Sequence, residues 1–344
     1  MLRLPLAPLV LLTLFSCQAA EPEATETVQV VLEGAGKLGG CAVGELDASA
    51  ADEEIVAVGS DGRIHLGVHG VDGWTSSVVD TVPGEQIQVA AGAIGPEGIP
   101  SIVSVGVAEG GEDDGGPGVA WWLRRDGDSW TRTELLGDDA LLHAVAIGEL
   151  DATSAGNEVV LAGFTRKVHL VRLVDGAPQS QTIGELPGNA KGIAIGAGGV
   201  VVACDDGSLV RFTGGADAWE REILAHHDAP LARLSANDDA VIYCGNDGVL
   251  RLWEKGESRK VYTSSDRLRG AVFLPDIPIG REVASAGYDG HVRRHAIDHA
   301  HGKPHSVAHE DAKLHNLATG TCAGSVGLAF CGYGGRLVWI GIRP

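Results

Sequence analysis

The apolar positions of this chain fall in short runs separated by turns that usually contain glycine. In the segment YCGNDGVLRLWEKG, Tyr243 to Gly256, two apolar runs flank Asn-Asp-Gly, and Trp253 lies at the end of the second run. Asp-Gly between two apolar runs is a strong short-range signal for a β-hairpin. The segment therefore predicts two antiparallel strands joined by a tight turn.

The same hairpin pattern recurs along the chain. The interval from the turn glycine Gly207 to its counterpart Gly248 is 41 residues, and from Gly248 to Gly290 it is 42 residues. Four further copies start at or near Glu53, Ser101, Asn157 and Ser325. One apolar stretch precedes each hairpin and another commonly follows it, so the chain consists of seven units of four short strands, a to d.

Units of four strands and about 40 to 50 residues are typical of β-propeller blades. Composition agrees, since the 344 residues include 50 glycines and 44% hydrophobic but only 5% aromatic residues. One blade cannot bury either of its faces alone, whereas blades packed in a ring cover each other. We therefore predict an all-β fold, a seven-bladed β-propeller with four-stranded antiparallel blades over residues 26–344.

The last unit has no residues left for a strand d, because the sequence given stops soon after its strand c. Strand a is predicted at Leu314 to Thr321, strand b at Gly327 to Gly332 and strand c at Arg336 to Ile342. An unpaired strand edge is an aggregation hazard. We predict that Thr27 to Leu32 pairs near Val338 and closes the ring.

Two repeat families resemble parts of this sequence. The segment from His227 to Glu254, with a histidine before strand a, an Asp-Gly turn and a final Leu-Trp, resembles a WD-repeat. The two segments that contain GELDA resemble FG-GAP repeats, and that resemblance implies an acidic loop that often binds calcium. Both resemblances imply propeller architecture and leave the activity open.

The acidic loops offer few oxygen ligands for calcium, which takes six to eight. The loops keep Asp47 with Glu54, and Asp151 with Glu158, but their middle positions are Ser49, Ala51, Thr153 and Ala155. We predict structural turns here and no calcium.

The formal net charge is −20, which repels phosphate backbones and disfavours nucleic acid as a partner. Residues 1–17 have one basic residue, Arg3, then an apolar run too short for a membrane span, as in a secretory signal. Their end resembles a bacterial lipobox, which implies lipidation at Cys17 and a location in the cell envelope. An ordinary signal peptide cut later is the alternative. Residues 18–25 are expected to form a flexible tether.

Five further cysteines lack the CxxC spacing of zinc sites. They are Cys41, Cys204, Cys244, Cys322 and Cys331, and several of them end apolar runs. We predict that they are small buried core residues.

Histidines are concentrated between His291 and His315. His299, His301 and His305 could converge on copper, nickel or zinc near a c–d turn. His291 and His295 point the same way along one strand but are too far apart to share an ion. The alternative is that these histidines are solvated or packed within the strands, with no cofactor.

Aspartates recur before the turn glycines, at Asp61, Asp206, Asp247 and Asp289. They could ring the mouth of the central channel and bind a ligand, or they could serve turn geometry alone. The acidic loop from Glu109 to Gly118 is another candidate for a cation or a basic partner. Trp74, Trp130 and Trp219 occupy equivalent positions, so we predict that they belong to the repeated core.

No GxSxG or HExxH motif is present. We predict a non-catalytic binding scaffold, anchored to a membrane only through a lipid, with a protein or a small molecule bound at the propeller face. Two alternatives are a metal-dependent lyase or hydrolase that uses the histidine-rich blade, and an accessory lipoprotein for outer-membrane assembly.

Overall fold

The computed structural model describes residues 25–47, 50, 52–110, 116–127, 129–150, 156–215, 218–275, 281–298 and 303–343. These residues form strands β1 to β28 in seven antiparallel four-stranded sheets. The predicted seven-bladed β-propeller is confirmed. The part of the chain that the structure describes includes no helix that could cross a membrane.

Strands follow chain order within blades one to six, from strand a to strand d. Blade one contains β2 (Leu38–Gly44), β3 (Glu54–Gly59), β4 (Arg63–Gly70) and β5 (Gly73–Thr81). Blade two contains β6 (Gln86–Ile94), β7 (Ile99–Val107), β8 (Gly118–Asp126) and β9 (Ser129–Asp138). Blade three contains β10 (Leu142–Gly148), β11 (Glu158–Gly163), β12 (Lys167–Val174) and β13 (Ala177–Glu185). Blade four contains β14 (Ala190–Gly196), β15 (Gly199–Cys204), β16 (Ser208–Gly215) and β17 (Ala218–His226). Blade five contains β18 (Leu231–Ala236), β19 (Ala240–Gly245), β20 (Val249–Glu254) and β21 (Glu257–Thr263). Blade six contains β22 (Leu268–Phe273), β23 (Glu282–Gly287), β24 (His291–Ala296) and β25 (His305–His309).

The seventh blade combines both ends of the described chain. Its strands are β26 (Leu314–Cys322), β27 (Ser325–Gly332), β28 (Leu337–Arg343) and, outermost, β1 (Thr25–Leu32). Val30 pairs with Val338 in an antiparallel register. The predicted ring closure is therefore confirmed.

The hydrophobic core lies between neighbouring blades. One cluster, for example, joins Val160 of blade three to Val202 and Phe212 of blade four. Trp74, Trp130 and Trp219 are half-buried on the outer strands and pack against such clusters, as predicted for repeat residues. The five described cysteines are buried and unpaired, which confirms that they are core residues.

A β-bulge near the start of each innermost strand shapes the channel. In every blade the pairing of strand a with strand b skips one residue, as between Leu231 and Arg233, so one extra residue is inserted there. The seven inserted residues are Gly39, Ile87, His143, Lys191, Ala232, Arg269 and His315. A bulge redirects the side chains beside it, and five of these positions or their immediate neighbours line the site described next.

Candidate functional site

One face of the propeller carries the turns from strand b to strand c and the loops from strand d to the next strand a. We call it the loop face. In each blade a backbone N–H at the end of strand b or in the b–c turn donates to the carbonyl of the residue just before strand a, as from Tyr288 to Arg267 at 2.9 Å and from Val107 to Glu85 at 3.0 Å. This repeated bond fixes the b–c turns against the start of the innermost strands.

All four predicted aspartates lie in these b–c turns and shape them. An Oδ1 atom of each aspartate accepts from the backbone N–H two residues later, at 3.1 Å for Asp61, 3.0 Å for Asp206, 3.1 Å for Asp247 and 3.2 Å for Asp289. This is the geometry that aspartate gives to tight turns. A ligand-binding role for these four residues stays a prediction.

Two of these aspartates are also held by arginine. Asp289 Oδ2 lies 2.7 Å from Arg293 Nη1, and the Asp247 carboxylate receives the guanidinium of Arg251. Partial burial would raise the pKa of Asp247, but hydrogen bonds from Arg251 and the backbone outweigh it and the pKa falls below the ordinary value. These carboxylates are thus charged and already partnered.

The histidine-rich blade gives no metal cluster within the described residues. His299 and His301 lie outside those residues, so the predicted site with His305 is not tested. The exposed His305 Nε2 lies 3.4 Å from a carboxylate oxygen of Glu26 on the closing strand. Within β24, His295 Nε2 is 2.8 Å from Ser285 Oγ, and His291 Nδ1 is 3.0 Å from Ser306 Oγ. No group of three His, Cys, Asp or Glu side chains suited to a metal occurs where placement is described.

The GELDA turns are built around two buried glutamates. Glu54 Oε2 accepts the N–H of Leu46 at 2.9 Å, and Glu158 Oε2 accepts the N–H of Leu150 at 2.9 Å. Asp47 Oδ2 receives Arg125 Nη2 at 2.7 Å. These bonds give the loops a structural role. Asp151, Ser49, Ala51, Thr153 and Ala155 lie outside the described residues.

Part of the acidic loop from Glu109 to Gly118 also lies outside the described residues. At its base Ala108 N–H donates to Pro117 O at 2.8 Å. The loop joins β7 to β8 on the loop face, and its binding role stays a prediction.

Basic side chains that sequence reasoning did not select meet at the loop-face end of the central channel. We call this group, which comprises His143, Lys191, Arg233, Arg269 and His315, the channel mouth. They are the second or third residues of strands a in blades three to seven and line a cavity of about 380 Å³. Asp205 is the one carboxylate among the described residues of that lining, and Asn189 donates to both of its oxygens, at 2.8 and 3.0 Å.

Arg233 is the most deeply placed cation of the channel mouth. The residue is 7% exposed, and its Nη1 donates to the carbonyl oxygens of Lys191 and Ala232. Its Nε and Nη2 atoms are buried without a hydrogen-bond partner among the described residues. Burial, followed by the nearby charge of Arg269, lowers the pKa of Arg233 to about 10, so it stays charged at neutral pH. Neither Arg233 nor Arg269 forms an ion pair with any described residue.

Aromatic rings surround these cations at the loop face. This collar consists of Phe164, Tyr288 and Tyr333, the first b–c turn residues of blades three, six and seven. Lys191 Nζ lies 4.1 Å from the centroid of Phe164, and the Arg269 guanidinium lies 5.0 Å from that of Tyr288. The hydroxyl groups of Tyr288 and Tyr333 are 3.3 Å apart. Cation–π contacts hold the cations in place without cancelling their charge.

The two histidines of the channel mouth are held neutral. His315 stacks on Tyr333, and its Nδ1 lies 2.9 Å from Gly39 O. Burial, then the charge of Arg233, lowers the pKa of His315 to about 3; Arg269 and Lys37 act in the same direction. Burial lowers the pKa of His143 too, followed by the charge of Arg233. The channel mouth thus has an excess of fixed positive charge in a protein of net charge −20.

The other half of the channel has a different lining. Its lining includes Asn316, whose Nδ2 donates to Gln88 Oε1 at 2.8 Å. Most of the other side chains that the inner strands present there are small or aliphatic. They include Ala91, Ile147, Ile195, Ala236 and Thr319. No Lys, Arg, Asp or Glu occurs among the described residues that line this half.

A positional signal for the channel mouth is present in the sequence. Lys191, Arg269 and His315 are each the second residue of their strand a, as is His143, and Arg233 is the third. Alignment of the strands a across the repeats would have placed these basic residues at one level of the ring.

Comparison with known proteins adds fold information. A solved structure described as the WD40 beta propeller domain of Doa1 matches with a TM-score of 0.69 at 13% sequence identity, over 92% of this chain and 97% of that one. The chain has the fold of a WD40 propeller. No family model matches the sequence, and no curated protein matches it. The WD-repeat resemblance is supported as architecture, and at this identity the likeness carries no activity.

Proposed function

We propose that this WD40-like propeller is a non-catalytic protein-interaction scaffold and that its partner docks on the loop face. The observation that supports this proposal most is the channel mouth, where charged and aromatic side chains meet around an open cavity. Arginine and tyrosine are enriched where proteins bind partners. WD40 propellers typically act as interaction scaffolds, which agrees with this assignment.

The collar gives the docking surface a place to begin. Tyr333 is 37% exposed, and Lys37 Nζ lies over its ring. The same ring also contacts the ring of Tyr288 in the b–c turn of the neighbouring blade. A tyrosine with an apolar ring and a polar hydroxyl suits a surface that is wet when free and covered when bound. The positive charge at its centre favours a partner with an acidic surface.

Site-specific photo-crosslinking tests the location. A benzophenone amino acid at Tyr333 probes the loop face, and the same group at the fully exposed Val71, in a c–d turn, probes the opposite face. We expect a discrete crosslinked partner from position 333 in intact cells and none from position 71. Equal labelling at both positions, or none at 333, contradicts the proposal.

We also propose that the protein is exported and anchored in a bacterial envelope through lipidated Cys17. The support is the apolar stretch before Cys17 in the sequence. Mass spectrometry of the mature amino terminus is the test, with Cys17→Ala as the matched variant. We expect an acylated Cys17 in the wild type and soluble or unprocessed protein in the variant. A mature chain that begins after Cys17 and lacks acyl mass contradicts the anchor.

A further inference from the structure

The cavity of the channel mouth brings three cations together, and two of them, Arg233 and Arg269, form no ion pair with a described residue. Lys191, Arg233 and Arg269 line it, and Asp205 is engaged by Asn189. A buried charge without a partner is costly, and proteins usually pair it. Arg233 and Arg269 have no carboxylate partner within the described residues, which favours an anionic ligand as their pairing group.

Arg233 presents two donors for such a group. Its Nε and Nη2 atoms are buried and have no partner in the part of the chain that the structure describes, while Nη1 is fixed by two backbone carbonyls. One edge of the rigid, planar guanidinium therefore has no acceptor among the described residues. Adjacent guanidinium N–H groups match the two oxygens of a carboxylate or phosphate in a bidentate arrangement.

The size of the cavity limits what can enter. Its volume of about 380 Å³ lies near the lower end of the range for small-molecule sites, which is about 300–1,000 Å³. The half of the channel behind it lacks charged side chains in its described lining. A compact ligand whose negative charges all lie near the loop face fits both conditions.

We propose that the channel mouth is a binding site for a small multivalent oxyanion, a phosphate or a polycarboxylate, held by Arg233, Arg269 and Lys191. His143 Nδ1, which is buried and has no partner among described residues, and the hydroxyl of Tyr288 supply further polar contacts around the ligand. The site does not depend on the protein partner proposed above, because it is complete within one chain.

Calorimetry on the full-length purified protein tests this inference, with citrate, inorganic phosphate and monovalent acetate as probes at about 0.15 M ionic strength. We expect one site per chain for citrate or phosphate, binding at least about tenfold tighter than acetate, and a matching rise in melting temperature. Tighter binding of citrate indicates a polycarboxylate ligand, and tighter binding of phosphate indicates a phosphate ligand.

Two variants and one control locate the site. Arg233→Met and Arg269→Met should each weaken binding by about tenfold or more, because each removes charged hydrogen bonds. Lys260→Met removes one positive charge from the exposed outer strand β21 and should leave affinity unchanged. Circular dichroism and the melting temperature confirm that the variants are folded.

Three results overturn the inference: no binding of citrate or phosphate at about 10 mM, equal affinity for acetate, or unchanged affinity in both arginine variants. Photo-crosslinking at Tyr333 has a separate readout. Anion binding without a crosslink supports this site and contradicts the protein partner, and the reverse result contradicts this site alone.

Discussion

The two halves of the central channel are built from the same strands but differ in chemistry. Near the loop face the strands a carry Lys191, Arg233 and Arg269, whereas at the other end they present residues such as Ile147 and Ile195. Within each half, the lining residues occupy corresponding positions of the seven strands a. Other blades have uncharged residues at the positions of the cations, so the architecture does not require them. One half therefore serves packing, whereas the other keeps partly buried charge, which costs stability.

The apolar half should reject charge strongly. Ile147 is half-buried and packs against the cluster between blades two and three. Ile147→Asp places a carboxylate among aliphatic side chains and should lower the free energy of unfolding by about 3 kcal/mol. Urea unfolding is the measurement, and Ile147→Val, expected to cost about 1 kcal/mol or less, is the control. If both variants were equally stable, the contrast between the halves would be lost.

The channel mouth should respond in the opposite direction. Arg233→Met replaces a buried, unpaired cation by an apolar side chain of similar length. In a buffer free of phosphate and polycarboxylates we expect the free energy of unfolding to rise by about 1–3 kcal/mol. A loss of stability in urea unfolding would mean that the bonds from Arg233 to the Lys191 and Ala232 carbonyls outweigh the cost of its burial.

Acid should weaken the channel mouth through His315. Its pKa of about 3 in the folded protein lies below the ordinary 6.5. As pH falls, the unfolded chain therefore binds a proton at this residue that the native state does not bind, and the free energy of unfolding decreases. The stabilisation is complete above about pH 6.5 and is lost progressively toward pH 3, by up to about 1.4 kcal/mol per pH unit. His315→Gln should therefore flatten the dependence of stability on pH.

Urea unfolding at several values between pH 7.5 and about pH 5 measures that slope. His295, whose pKa burial lowers to about 4, remains in the variant and supplies the background. Identical slopes for wild type and variant would show that His315 takes up its proton in the native state.

The smallest effect is expected at the rim of the loop face. Asp61→Ala removes the acceptor for the Arg63 N–H and should lower the free energy of unfolding by about 0.5–1 kcal/mol. Asp61→Asn keeps an acceptor and should be close to wild type in a thermal melt. A loss in the Asn variant as large as in the Ala variant would assign the role to charge and would contradict the turn interpretation.

The repeated hairpins made the architecture predictable. Each blade repeats the same apolar run, turn and apolar run. Because the last unit lacks its own outer strand, Thr27 to Leu32 could be predicted to fill that place and pair with its strand c. The turn role of Asp206 and Asp289 also followed from sequence, because an aspartate two residues before a strand N–H acts locally.

The channel mouth was not predicted because its residues are brought together by ring closure. Lys191, Arg233 and Arg269 are about one blade apart in sequence, and each alone resembles an ordinary polar residue at a strand start. A β-bulge beside each of them shifts the alternation of inward and outward side chains. A count of alternating positions therefore misplaces them.

The pairing of β1 with β28 also constrains how the protein is made. During synthesis β1 leaves the ribosome before any other described strand, and its partner β28 leaves last. Six blades have their own four strands and can form in order. Val28 and its neighbours in β1 cannot pair until Ile340 and the rest of β28 have been synthesised. Until then β1 and the growing edge are both open to other chains. A chaperone that covers β1 during that interval would protect the nascent protein, and a message truncated before β28 would yield a ring that never shuts.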